Sequence, residues 1–183
     1  MKLQLPHAPY IANKIAIDLL NSGFVTLTRG VEPIAHYAQE IIEDEIKKEK
    51  ALEERVEELL EEKEDEMEFM QVDRRNLFWL IKKRLAEDYG VILSYEDRFN
   101  DLAHRILDKL WQEDLINYSV SENKVKNVIY NAIDNYYKVF DKIEDEVIDR
   151  IRKFKRKIYP GSEEYDILFE KLYEEELRKR GML

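Results

Sequence analysis

The sequence predicts an all-α, elongated protein made of two tandem helical units, each with a short helix, a long helix and a second medium helix. Three observations carry that reading. Helix breakers are scarce, with five glycines and four prolines in 183 residues. Glu, Lys, Ile and Leu are abundant, and charged residues reach 38% against the roughly 25% usual in soluble domains, a composition that favours long helices. Apolar residues recur at steps of three and four, the period of a helix with one buried face.

Two units are expected because the chain aligns with itself. Sliding it by about 91 residues, roughly the size of a small domain, superposes the apolar positions of the two halves without a gap. Ile11 and Ile15 fall on Leu102 and Ile106, and Leu19-Leu20 on Leu110-Trp111. Ile34, Ile42 and Val56 fall on Val125, Ile133 and Val147, Leu77-Phe78 on Leu168-Phe169, and Gly90 on Gly181. The expected organisation is a diverged, acidic first copy over residues 1–91 and a second copy over 92–183. Two helical segments that merely share a period are the alternative.

In the first half, Pro9 begins a short helix and Gly23 follows its end. Phe24–Thr28 is β-prone, as is its counterpart Leu115–Ser119; connectors are favoured over a paired ribbon. A long helix then starts near Pro33 and carries the stripe Ile34, Ala38, Ile42, Leu52, Val56, Leu59 and Leu60. The stripe thins at Lys47–Lys50, where a bend or a solvent-bridging stretch is expected. In the second half, Ser121 is a natural N-cap. The stripe behind it runs from Val125 through Phe140 and Ile151 to Phe154 and Ile158, a helix of about 55 Å. Ser162 caps the last helix, with Glu163 and Glu164 in its first turn and Arg178, Lys179 and Arg180 in its last, as the helix dipole favours.

Composition removes several chemistries. With no cysteine there is no disulfide, thiol nucleophile or Cys-based metal site, and a reducing compartment is fitting. No secretory leader is visible over Met1–Pro9, and no apolar run is long enough for a membrane span, so the expected location is cytoplasmic. The three histidines form no HExxH, and Asp101 with His104 makes only one rough half of a di-iron motif. The glycines do not cluster into a phosphate-binding loop, and there is no GxSxG elbow. Neither a catalytic residue, a metal nor a cofactor is expected, and the protein is read as no enzyme.

The candidate contact residues are charged and aromatic. Arg150, Arg152, Lys153, Lys155, Arg156 and Lys157 form a basic segment in a chain of net charge −10. Phosphate contact is one reading, with Phe154 or Tyr159 available for stacking. Cations favoured at a helix C-terminus are another. A third comes from the self-alignment, which lays this segment on Glu61, Glu62, Glu64, Asp65 and Glu66. Opposite charge at equivalent positions suits pairing within the chain or between two chains. Trp111 takes the register of Leu20 and is expected in the core. Trp79 lies in a run that is apolar nearly all round and is a candidate for partner contact.

The C-terminal stretch resembles a known family. Ile151–Ile158, the turn Pro160-Gly161-Ser162, then Glu164–Leu168, Lys171–Leu177 and Arg180-Gly181 are similar to the bacterial family called domain of unknown function 507 (DUF507). The resemblance is best over 92–183. In the first half the turn is replaced by Met70-Gln71-Val72 and the Tyr-Glu-Glu-Glu run by Lys82-Lys83-Arg84. It implies a small helical bacterial cytoplasmic protein and transfers no catalytic residue. The functional expectation is a non-enzymatic scaffold or adaptor for an unidentified protein partner, with a homodimer also in view. The alternative is binding to nucleic acid or an anionic surface through Arg150–Lys157.

Overall fold

A computed structural model describes residues 3–182; positions 1, 2 and 183, which include the start of the leader reading and the outer ends of the two halves, lie outside the described residues. After a single 3-10 turn at Leu5–His7 come α1 (Ala8–Asn21), β1 (Thr26–Leu27), α2 (Val31–Glu62), α3 (Glu64–Met70) and α4 (Arg74–Leu85). The second half supplies α5 (Tyr95–Gln112), β2 (Ile116–Asn117), α6 (Glu122–Arg152) and α7 (Glu163–Lys179). The architecture is all-α apart from one two-residue ribbon.

Local chemistry explains most of the boundaries. The Ser121 and Ser162 hydroxyls accept from Lys124 N–H at 3.3 Å and Tyr165 N–H at 3.2 Å, as N-caps do. Asp73 caps α4 in the same way, accepting from Arg75 N–H at 3.0 Å. Two expectations are corrected. The connectors do pair: β1 and β2 are antiparallel, with Thr26 opposite Asn117 and Leu27 opposite Ile116. Two residues per strand are too few for alternation to show, and a long-range bond from Thr28 Oγ1 to the Asp114 carbonyl holds the ribbon. Second, α6 ends at Arg152, about 46 Å from its start, instead of running to Ile158. Pro160 drives Tyr159 out of helical geometry, and α7 must fold back on α6. The stretch Lys47–Lys50 leaves α2 unbroken, with Lys47, Lys48 and Lys50 exposed and only Glu49 buried.

The helices pack in a reciprocal pattern. The short helix α1 lies on α2 and α6; α5 lies on α6 and α2; α4 returns along α2, and α7 along α6. One main core draws on α1, α5, α6, α7 and the first half of α2 through Ile46. A smaller core gathers Leu52, Val56, Leu60, Met67, Ala86 and Val91 around the far end of α2. Both halves therefore contribute to the main core, which α1 and α5 enter from opposite sides of the chain.

The self-alignment offset reappears in backbone detail. It relates Val31, the start of α2, to Glu122, the start of α6, and it relates Thr26 to Asn117, the residues that face each other in the ribbon. It also pairs positive-φ positions: Gly23 (81°) with Asp114 (54°), and Gly90 (66°) with Gly181 (65°). The correspondence is partial: Gly30, Gln71 and Gly161 are also at positive φ, but their counterparts Ser121, Ser162 and Met70 are not. Trp111 likewise matches Leu20, but both are about half exposed (50% and 53%), so Trp111 is not the core residue its register suggested. The offset transfers burial; it was Leu20 whose burial was assumed.

Within the main core, His7 stacks on Phe140 with ring centres 3.9 Å apart and meets Tyr173 edge-on at 6.3 Å. Its Nδ1 accepts from Gln4 N–H at 3.0 Å, which places the neutral ring's proton on Nε2. Burial lowers its pKa to about 4, because a charged imidazole would lose its hydration among these rings. In the unfolded chain it titrates near 6.5, so between these values only the unfolded state holds the proton. The contribution is complete above pH 6.5 and is lost as pH falls towards 4. Urea unfolding at pH 7 and pH 4.5 should therefore show an acid loss that His7→Phe reduces by about 2–3 kcal/mol; an unchanged difference in the variant would refute the assignment.

Candidate functional site

Between its two cores, α2 buries charge. Ile42 and Ile46 belong to the main core and Leu52 to the smaller one; the turns between them place Glu45 and Glu49 on the same face, at 4% and 5% exposure. The two carboxylates are matched by cations from two other helices. Arg98 of α5 donates through Nε to Glu45 at 3.0 Å and through a terminal nitrogen to Glu49 at 2.5 Å. Lys82 of α4 donates to Glu49 at 3.0 Å and to Glu53 at 2.8 Å. At the edge Arg105 closes on Glu45 at 2.6 Å and on Asp101 at 2.9 Å. Burial alone would raise the Glu49 pKa, but the Arg98 and Lys82 charges and hydrogen bonds hold it below the usual carboxylate range. The group stays ionised and neutralised, as buried charge must.

A cleft of about 380 Å³ opens beside this cluster. Its walls are built largely in equivalent pairs from the two halves: Gln4 and Tyr95, Glu53 and Glu144, Phe78 and Phe169, Lys82 and Tyr173. Glu49 and Trp79 complete the lining, and the Lys82 ammonium sits 5.1 Å from the centre of the Trp79 ring. Partial burial raises the Glu144 carboxyl above its usual value. The cleft thus lies where the two halves meet, at the end of the long helices away from the ribbon.

Beyond the cleft each half ends in a charged tip. In the first, Glu61, Glu62, Glu64, Asp65 and Glu66 are all exposed around the junction of α2 and α3, which covers only Met67. In the second, Arg150 and Arg152 close α6, while Lys153, Lys155, Arg156 and Lys157 lie in the turn that follows. The two segments do not meet within the chain. Arg150 binds Glu175 at 3.2 Å and Glu176 at 2.7 Å, Arg152 binds Asp149 at 3.5 Å, and Arg156 pairs with Glu164. Among the described residues Lys153, Lys155 and Lys157 have no ion-pair partner in the chain. Trp79 is half exposed, at the mouth of the cleft on α4.

The ionic cluster was the residue set that sequence reasoning missed. Its signal was present: Glu45 and Glu49 occupy stripe positions, where a solvated glutamate has no reason to sit. The weak stretch in the α2 stripe is a change of partner, from apolar packing to ion pairing. Removing Arg98 strands two carboxylates that retain only partial neutralisation. Arg98→Met should cost about 3 kcal/mol or more in denaturant unfolding. Arg55→Met, which removes an exposed pair with Glu58, should leave the midpoint nearly unchanged. Equal effects of the two substitutions would contradict a buried, structural role for Arg98.

Among the described residues no helix is long and apolar enough to cross a membrane. No curated protein matches the sequence. A family model described as protein of unknown function (DUF507) matches residues 1–182, so the resemblance seen in the C-terminal stretch extends through both halves. The chain belongs to the DUF507 family.

Proposed function

We propose that this protein is a non-enzymatic interaction module, a helical scaffold or adaptor of the bacterial cytoplasm that engages a partner protein through α3 and α4. One observation carries the reading. Between positions 69 and 80 five large apolar residues remain exposed: Phe69 at 90%, Met70 at 69%, Leu80 at 60%, Trp79 at 49% and Val72 at 40%. The cores are closed without them, and apolar surface left in water on this scale marks contact sites. The cysteine-free composition suits a reducing compartment. The reciprocal packing and the paired positive-φ residues support an origin of 1–91 and 92–183 as diverged copies of one unit. Affinity capture from native cells with nuclease treatment should recover protein partners that are lost with a Phe69→Ser, Leu80→Ser variant. Recovery of the same proteins by the variant would remove this surface from the account.

A second reading has its own observation. Lys153, Lys155 and Lys157 lack carboxylate partners among the described residues, and Phe154 and Tyr159 beside them are 47% and 69% exposed. Cations interleaved with free aromatic rings suit single-stranded nucleic acid, although the acidic remainder of the chain opposes it. Fluorescence anisotropy should then show binding that weakens steeply with salt and is abolished by Lys153→Glu, Lys155→Glu, Lys157→Glu. Absence of binding to DNA and RNA at low salt would end this reading.

A further inference from the structure

The acidic and basic tips are opposite in charge, yet no ion pair joins them among the described residues. Residues 61–68 hold six carboxylates and one lysine, all exposed. Residues 152–157 hold five cations, all exposed, of which Lys153, Lys155 and Lys157 have no ion-pair partner among the described residues. The acidic tip projects Phe69 and Met70 into solvent. The basic tip carries a mainly apolar groove of about 630 Å³, formed by Phe154, Ile158, Ile167 and Leu168. Arg156, Lys171, Glu163 and Glu164 also line it, with Glu164 already paired to Arg156.

We propose that a second copy of this chain occupies the groove: the acidic tip of one copy seats Phe69 and Met70 among Phe154, Ile158 and Ile167 of the other, with its carboxylates against the unpartnered lysines. Placement of the tips makes the contact self-closing. Both long helices start beside the ribbon, and both pass the shared cleft through Glu53 and Glu144 before reaching their tips. The tips therefore lie at the same end of the molecule, one on each side of the cleft. A twofold rotation that brings two such ends together sets each acidic tip on the other copy's basic tip. The result is a closed dimer with two identical contacts rather than an open filament. The inference shares with the proposed function only the premise that the tips are contact surfaces, and it needs no foreign partner.

Sedimentation velocity on the purified full chain tests it. At low salt the protein should populate a dimer, and raising the salt should weaken dimerisation about tenfold or more, because these charges are solvent-exposed and screened. Lys153→Glu, Lys155→Glu, Lys157→Glu leaves a chain with two acidic tips. Glu62→Lys, Glu64→Lys, Glu66→Lys leaves one with two basic tips. Each alone should sediment as a monomer with unchanged helical circular dichroism, since every substituted side chain is exposed. Mixed in equal amounts they should form the dimer again, and Phe69→Ser should weaken it. A wild-type chain that stays monomeric at low salt at every concentration overturns the proposal, as does a mixture that fails to associate. If the chain is monomeric while capture of cellular proteins still depends on Phe69 and Leu80, self-association falls and the adaptor reading stands.

Discussion

The fold turns on a guanidinium held between two carboxylates. Arg98 reaches from α5 into the face of α2, where Glu45 and Glu49 take two of its nitrogens, and Lys82 arrives on Glu49 from α4. Three helices are tied at one point, which lies between the two hydrophobic cores that α2 serves. Such a cluster adds little net stability compared with apolar side chains of similar volume, because desolvating four charges offsets most of their attraction. What it adds is position. Ion pairs of this geometry tolerate no sliding along α2, so they set where α4 and α5 sit along it. The small core around Leu52, Val56 and Leu60 would otherwise be the main restraint on α4.

A second joint meets the same requirement with different chemistry. The positions equivalent to Glu45, Glu49, Lys82 and Arg98 are Tyr136, Phe140, Tyr173 and His7. There His7 stacks on Phe140, and Tyr136 meets Phe140 edge-on at 5.7 Å. One joint closes with ions and the other with rings, each borrowing one member from the opposite half (Arg98 and His7), and the shared cleft lies between them, with Lys82 facing it from one half and Tyr173 from the other. The same divergence governs the tips, where equivalent segments carry opposite charge. At the 91-residue offset polarity differs between these positions, while Gly90 and Gly181 share a positive φ.

Much of this was legible. Caps at Ser121 and Ser162 and the long stripes follow from local patterns that a sequence displays directly. The family too was visible in the turn Pro160-Gly161-Ser162 and the helix after it, although the match runs through both halves rather than favouring 92–183 alone. What escaped were effects that need three dimensions. Charge on a stripe reads as a weak helix face until the cations that answer it are known, and Lys82 and Arg98 lie far along the chain. The end of α6 was overrun because Phe154 and Ile158 keep the helical spacing after the helix has stopped; Ile158 still packs on the core from the turn. The charged tips were recognised as opposites, but the placement that keeps them apart within one chain depends on how the long helices diverge past the cleft.

If the two halves descend from one unit, the ionic cluster and the aromatic cluster are interchangeable solutions at positions 91 residues apart. The most direct measurement is the unfolding free energy of a fourfold variant, Glu45→Tyr, Glu49→Phe, Lys82→Tyr, Arg98→His, against its four single substitutions. The account predicts that each single change destabilises the protein by leaving a buried charge uncompensated, while the fourfold variant folds with a stability close to that of the wild type. A fourfold variant that loses as much stability as its single changes add up to, or that fails to fold, would contradict it.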